Sequence, residues 1–156
     1  MLRALTLAER GWGHVHPNPL VGAVVMRDDL VVGEGWHAEF GGVHAEMMAL
    51  TAAGEAARGA TLYVTLEPCR HHGKQPPCVD AVLNHGVARV VFALDDPDPV
   101  AAGGGDVLAA NGVEVVRGPL GDAAALQNWR FLHRFAASGR PKVIVKLAVT
   151  VDGFIA

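Results

Sequence analysis

The chain has 156 residues, of which 51% are hydrophobic and 19% charged, with a formal net charge of −3 and two cysteines. That length supports one well-buried core and is too short for two full domains, and the charge provides no basic footprint for gripping a nucleic acid. Two cysteines cannot build a disulfide framework. Arg3, Glu9 and Arg10 interrupt the opening segment, so it does not read as a secretory leader, and apolar runs such as 21–26 are far shorter than a membrane span. The expectation is a cytoplasmic protein that acts on a small soluble substrate.

In chain order, residues 2–10 read as an amphipathic helix and 11–19 as a loop punctuated by Gly and Pro. Residues 21–27 and 30–35 read as two strands joined at Asp28-Asp29, a short hairpin turn. Residues 45–53, rich in Ala, Met and Leu after the Gly41-Gly42 break, predict a helix that stops at Gly54. A β-branched and aromatic strand follows at 61–65. Residues 78–85 predict a helix entered through Pro76-Pro77 and left at Gly86, and 89–93 a further strand. The pattern repeats with a short helix at 106–110, a strand at 113–116 and a longer helix at 123–137 carrying Leu126, Trp129, Phe131, Leu132 and Phe135. Alternating strands and helices imply an α/β architecture of three layers. Its mixed, mostly parallel five-stranded sheet carries helices on both faces, and the early hairpin supplies one antiparallel pair.

The chemistry concentrates in His44-Ala45-Glu46, Pro68-Cys69 and Cys78. One imidazole, two thiolates and a nearby carboxylate are what a hydrolytic zinc centre needs. Three protein ligands leave a position for water, whose pKa the metal lowers, whereas four close the site. Glu46, two residues beyond His44, is placed to carry the proton. His44 and Cys78 both fall where helix N-termini are predicted, and the free N–H groups there favour thiolate. An inert buried cysteine pair, or a closed structural zinc using His71 or His72 as fourth ligand, would leave the same residues without catalytic work.

The order H-x-E, then P-C, then C resembles the zinc-dependent nucleobase deaminases, in which a non-ligand Glu is the general acid and base. Eight residues, 70–77, separate the cysteines here, where the cytidine and tRNA-adenosine branches have two. The string from Thr65 to Cys78 is similar to the deaminase domain of the bacterial bifunctional riboflavin-biosynthesis deaminase/reductases. So are His16-Pro17-Asn18-Pro19-Leu20-Val21-Gly22, Gly33-Glu34-Gly35-Trp36-His37 and Asp96-Pro97-Asp98-Pro99, and the resemblance covers essentially the whole chain.

It implies a cytidine-deaminase-like fold and Zn2+ held by His44, Cys69 and Cys78, with Glu46 passing a proton from water to a ring nitrogen and then to departing ammonia. The substrate it implies is 2,5-diamino-6-ribosylamino-4(3H)-pyrimidinone 5′-phosphate. Asn18, His37, Lys74, Asp96 and Asp98 take the substrate-binding positions: Asn18 at ring edges, Lys74 at the phosphate, Asp96 at ribose hydroxyls. Asp98 stands where the family has Asn and adds a carboxylate near a phosphorylated ligand, at a cost on the order of 1 kcal/mol in a partly solvated site.

Residues 1–140 are expected to form the deaminase domain. Residues 141–156 resemble the opening strand of the family's NADPH-dependent reductase domain, so reductase activity is expected to be absent, with Lys146 and Asp152 as remnants. An unpaired apolar strand there should fold back, pair with a neighbour or be disordered, and together with the family habit of association it favours a homo-oligomer. Two other readings stay open: a deaminase of another nucleobase or nucleoside, and a non-catalytic zinc-stabilised scaffold.

Overall fold

A computed structural model of the chain describes residues 1–136 and 139–155. Helix α1 (Leu2–Ala8) tightens into a 3-10 turn at Glu9–Gly11. Strands β1 (Gly22–Arg27) and β2 (Leu30–Trp36) form the expected hairpin, in which Asp28 and Asp29 both take positive φ, 49° and 61°. That pairing of left-handed residues matches the right-handed twist of the flanking strands. Next come α2 (Ala45–Ala53), β3 (Thr61–Val64), α3 (Cys78–Asn84), β4 (Arg89–Phe92), α4 (Gly104–Ala110) and β5 (Glu114–Arg117). The chain continues through α5 (Gly121–Gln127) and α6 (Trp129–His133).

The five strands form one mixed sheet in the order β2-β1-β3-β4-β5. β1 runs antiparallel to both β2 and β3, while β3, β4 and β5 are parallel. The sheet therefore has two antiparallel ladders rather than the single one expected from the hairpin. The reason is topological. The connection from β2 through α2 returns β3 parallel to β2, and β3 docks on the far side of β1, which points the other way.

Period-two alternation divides the strand side chains between two layers. Ala23, Val25, Leu62, Val64, Val90 and Phe92 face the main core with Leu50 of α2, Val82 of α3 and Leu108 of α4, and Val24 and Tyr63 pack with Ala4 and Leu7 of α1 on the other face. Ala124 of α5 joins Leu5 of α1 there. Helices thus cover both faces, as expected. α2 sits unusually close to the sheet because β2 carries glycines beneath it: a Cβ on Gly33 would lie 2.2 Å from the Ala49 carbonyl oxygen, and one on Gly35 2.3 Å from that of Ala45. This contact fixes where the N-terminus of α2 points.

The long helix expected at 123–137 is broken. Asn128 adopts φ −100°, ψ 17° between α5 and α6, and its buried side chain bonds the backbone of Leu20, with Oδ1 accepting from N–H at 2.7 Å and Nδ2 donating to the carbonyl at 2.9 Å. The predicted endpoint, Ala137, lies outside the described residues. Beyond it, Val143, Ile144 and Val145 are exposed, Lys142 Nζ lies 4.0 Å from the Trp129 ring centroid, and Val149 bridges Ile155. No helix among the described residues is long and apolar enough to cross a membrane.

Candidate active site

A cleft of about 390 Å³ opens at the carboxyl ends of β3 and β4, where ligands gather in open α/β sheets. The starts of two helices meet beside it. His44 is the N-cap of α2 and Cys78 the first residue of α3, and the segment leaving β3 brings Cys69 between them. His44 Nδ1 lies 3.1 Å from Cys78 Sγ and 3.6 Å from Cys69 Sγ, and the three donor atoms fall within 4.8 Å of one another. Tetrahedral zinc, with Zn–N about 2.0 Å and Zn–S about 2.3 Å, requires N and S about 3.5 Å apart, and the set is compatible with that ion. Neither His71 nor His72 is part of this cluster among the described residues.

The sulfurs behave as a thiol–thiolate pair. Hydrogen bonding from Cys78 pulls the Cys69 thiol well below its usual range against the opposing effect of burial, and His44 and the Cys78 backbone N–H, 3.5 Å from Cys69 Sγ, assist. Cys78 is pushed up by the same bond and by burial. The partnership with Cys69 also raises His44. Thiolate is the form that binds a metal.

Glu46 sits in the first turn of α2, 4% exposed, and its carboxyl is raised to about 7 by burial and then by the charge of Cys69. A carboxyl so poised can both take and return a proton near neutrality.

The remaining expected residues line the same cleft. His37, 3% exposed, uses both ring nitrogens inside the protein: Nδ1–H donates to the Val43 carbonyl at 3.1 Å, which leaves Nε2 to accept from Asn18 Nδ2 at 3.1 Å. Burial holds His37 below the usual imidazole range despite that bond. Through its bond to Nδ2, His37 restrains the Asn18 side-chain amide.

Lys74 is carried to the rim by the eight-residue excursion between the cysteines, with Nζ 4.0 Å from the centroid of the Phe40 ring. Gln75 ties that excursion down by donating to the Gly41 carbonyl at 3.3 Å. His71 lines the cleft with a buried Nδ1 that has no hydrogen-bond partner. Asp96 is half-buried and raised to about 6 by burial, with the Asp98 N–H bond acting against this and the charges of Asp98 and Glu67 adding to it. Asp98 accepts the Val100 N–H at 3.0 Å, a turn bond that a carboxylate makes as well as an amide does.

Sequence reasoning passed over Glu67. It is 4% exposed and gathers three backbone N–H groups, of Asp96 at 3.2 Å, Gly103 at 3.2 Å and Gly105 at 2.9 Å, which pins the loop presenting Asp96 and Asp98. The same loop crosses so near the zinc-site segment that a Cβ on Gly104 would stand 1.8 Å from the Pro68 oxygen. Glu67→Gln replaces an acceptor with a donor facing N–H groups, and should cost about 2–3 kcal/mol of stability in urea unfolding. Arg134, Phe131 and Phe135 also line the cleft, contributed from the far end of the chain.

A buried imidazole–thiolate cluster with a neighbouring carboxyl, at the strand ends of a three-layer α/β sheet, is the arrangement that a hydrolytic zinc centre requires. The chain belongs to the cytidine and deoxycytidylate deaminase family: residues 1–94 match the model of its zinc-binding region. It is 49% identical over 154 residues to the riboflavin biosynthesis protein RibD of Escherichia coli strain K12, a match covering 98% of this chain and 42% of that protein. Among solved structures, RibD of Acinetobacter baumannii superposes with a TM-score of 0.90 at 46% identity, over 97% of this chain and 42% of that one. The diaminohydroxyphosphoribosylaminopyrimidine deaminase/5-amino-6-(5-phosphoribosylamino)uracil reductase of Thermotoga maritima gives 0.91 at 44% identity, over 97% and 44%. The chain thus spans about two fifths of the length of these relatives. The family's cofactor is zinc, and the His44, Cys69 and Cys78 cluster is compatible with it.

Proposed function

We propose that the chain deaminates 2,5-diamino-6-ribosylamino-4(3H)-pyrimidinone 5′-phosphate to 5-amino-6-(5-phosphoribosylamino)uracil by hydrolysis, with His44, Cys69 and Cys78 holding zinc and Glu46 moving the protons. The observation that carries this reading is the position of Lys74, a cation on the rim of the same cleft that holds the zinc cluster and Glu46. The excursion bearing it is what separates this chain from deaminases with two residues between their cysteines. The Thermotoga maritima relative, whose name is that of a deaminase for this class of substrate, supports the same assignment.

Zinc, when bound, supplies Lewis acidity that makes water a nucleophile near neutral pH. Glu46 takes a proton from that water and delivers it to a ring nitrogen as the oxygen joins the amino-bearing carbon. It then takes the second proton, from the hydroxyl now on that carbon, and gives it to the amine as the C–N bond breaks and the C=O forms, so that one water is consumed and one ammonia released. Asn18 accepts from the ring edge through Oδ1, Asp96 accepts from ribose hydroxyls, and Lys74 neutralises the phosphate as a point charge. Residues 141–156 are read as the opening strand of a reductase domain, and exposed apolar side chains such as Val143, Ile144, Val145 and Phe154 favour association of copies.

Ammonia release from the phosphorylated diaminopyrimidinone, compared with cytidine and adenosine, tests the assignment; preference for either nucleoside would overturn it. Lys74→Met should raise KM for the phosphorylated compound roughly tenfold or more and leave that for its dephosphorylated form unchanged. Equal effects on both compounds would remove Lys74 from the phosphate.

A further inference from the structure

Arg134 follows α6, is exposed, and donates from Nη1 to the carbonyl oxygen of Pro17 at 2.8 Å, across 117 positions of sequence. Its guanidinium also lies 5.7 Å from the Phe135 ring centroid. At the other end of α6, Asn128 holds Leu20 through both of that residue's backbone groups. The segment Pro17-Asn18-Pro19-Leu20 is thus gripped at its two ends by one short stretch of chain, with Asn18 between the grips. Pro17 and Pro19 have no N–H to give, and the segment has no strand partner, so few other bonds fix it. Within it, the Asn18 N–H reaches the Val15 carbonyl at 2.8 Å, and its side-chain amide reaches His37.

We propose that Arg134 is a positioning residue for substrate recognition: by clamping the Pro17 carbonyl it holds Asn18 in the orientation that presents Oδ1 to the ring edge. The kinetic part of this inference rests on the function proposed above; the structural part does not. Asn128 and the buried Phe131 anchor α6 independently of Arg134, so removing its side chain frees the loop without opening the core. Without the Pro17 grip, Asn18 is restrained by its Val15 and His37 bonds and by the Leu20 anchor, and its amide leaves the acceptor position more often, which weakens ground-state and transition-state binding alike.

The test compares the zinc-loaded chain with its Arg134→Ala and Arg134→Lys variants by amide hydrogen exchange and by ammonia release from the phosphorylated diaminopyrimidinone. Arg134→Ala should speed exchange at the Asn18 and Leu20 amides about fivefold while β1 and β3 exchange as before, with Arg134→Lys recovering part of the protection. KM should rise roughly five- to tenfold in Arg134→Ala, with kcat within about twofold. Unchanged exchange at Asn18 and Leu20 would overturn the clamp whatever the kinetics, and with a raised KM it would make Arg134 a direct ligand instead. Equally faster exchange in β1 and β3 would also overturn it, by showing a general loss of structure. Faster exchange confined to the loop, with no ammonia from any form, would support the clamp and sink the substrate assignment.

Discussion

Replacing Glu46 with alanine should lower ammonia release about 10³-fold or more while zinc stays bound at its wild-type level. The separation of the two effects follows from position. Glu46 lies two residues past His44 in the first turn of α2, close enough to Cys69 for its charge to be felt, yet it is not among the three donor atoms of the His44, Cys69 and Cys78 cluster. Loss of its side chain therefore leaves the ligand set intact and removes the group that shuttles protons between water, ring nitrogen and leaving amine. Glu46→Gln is the sharper variant, because it keeps the shape and the hydrogen-bonding reach and abolishes only the proton transfer. Both variants should fall alike in kcat, with KM changed little, the signature of an interaction made in the transition state. Turnover within tenfold of wild type in Glu46→Gln would take Glu46 out of the mechanism. A zinc-binding chain that releases no ammonia even with Glu46 intact would return the protein to the scaffold reading.

The residues of the candidate site were legible as a group because their signals are local. His44 and Glu46 share one helical turn, Cys69 follows a proline at a strand end, and Cys78 opens a helix behind two prolines. Lys74 was legible for a related reason, as the cation inside a spacing that departs from the shorter deaminases. What the sequence hid depends on distant partners. The break at Asn128 exists because its amide meets Leu20, 108 positions away, and nothing within the helical run from 123 onward announces that contact. Likewise Glu67 reads as one more charge beside Pro68-Cys69 until the fold brings three N–H groups around it. The second antiparallel ladder was hidden too, since a strand's pattern records which face is buried and not which neighbour it pairs with. At Asp98 the expected charge penalty was argued from the residue type alone, whereas the turn bond to Val100 gives the carboxylate a local role independent of the substrate.

Stripping the metal by chelation, or removing a ligand by Cys69→Ala, should reduce turnover to background and destabilise the fold. An ion present at about a thousand times its dissociation constant stabilises the native state by about 4 kcal/mol, which for a domain of this size is a fall in Tm of about 10 °C when it is withdrawn. The metal-free chain should also acquire a pH signature belonging to Glu46. Its carboxyl titrates at about 7 in the fold against 4.5 for the unperturbed group, so the folded state binds the extra proton between those values. The stability this group contributes is therefore complete below about pH 4.5 and is lost as pH rises through 7, by on the order of 3 kcal/mol. Cys69, held low in the fold, acts in the opposite sense over much of that range, so the total curve mixes the two. The difference between metal-free Glu46→Gln and the metal-free parent isolates the carboxyl: the variant should gain on the parent steadily from about pH 4.5 to 7 in urea unfolding. With zinc restored, the positive ion compensates the buried carboxylate and the gain should shrink. A difference that stays flat with pH in the metal-free proteins would show that Glu46 ionises in the fold as it does in water, and would take away the physical basis for its service as both acid and base.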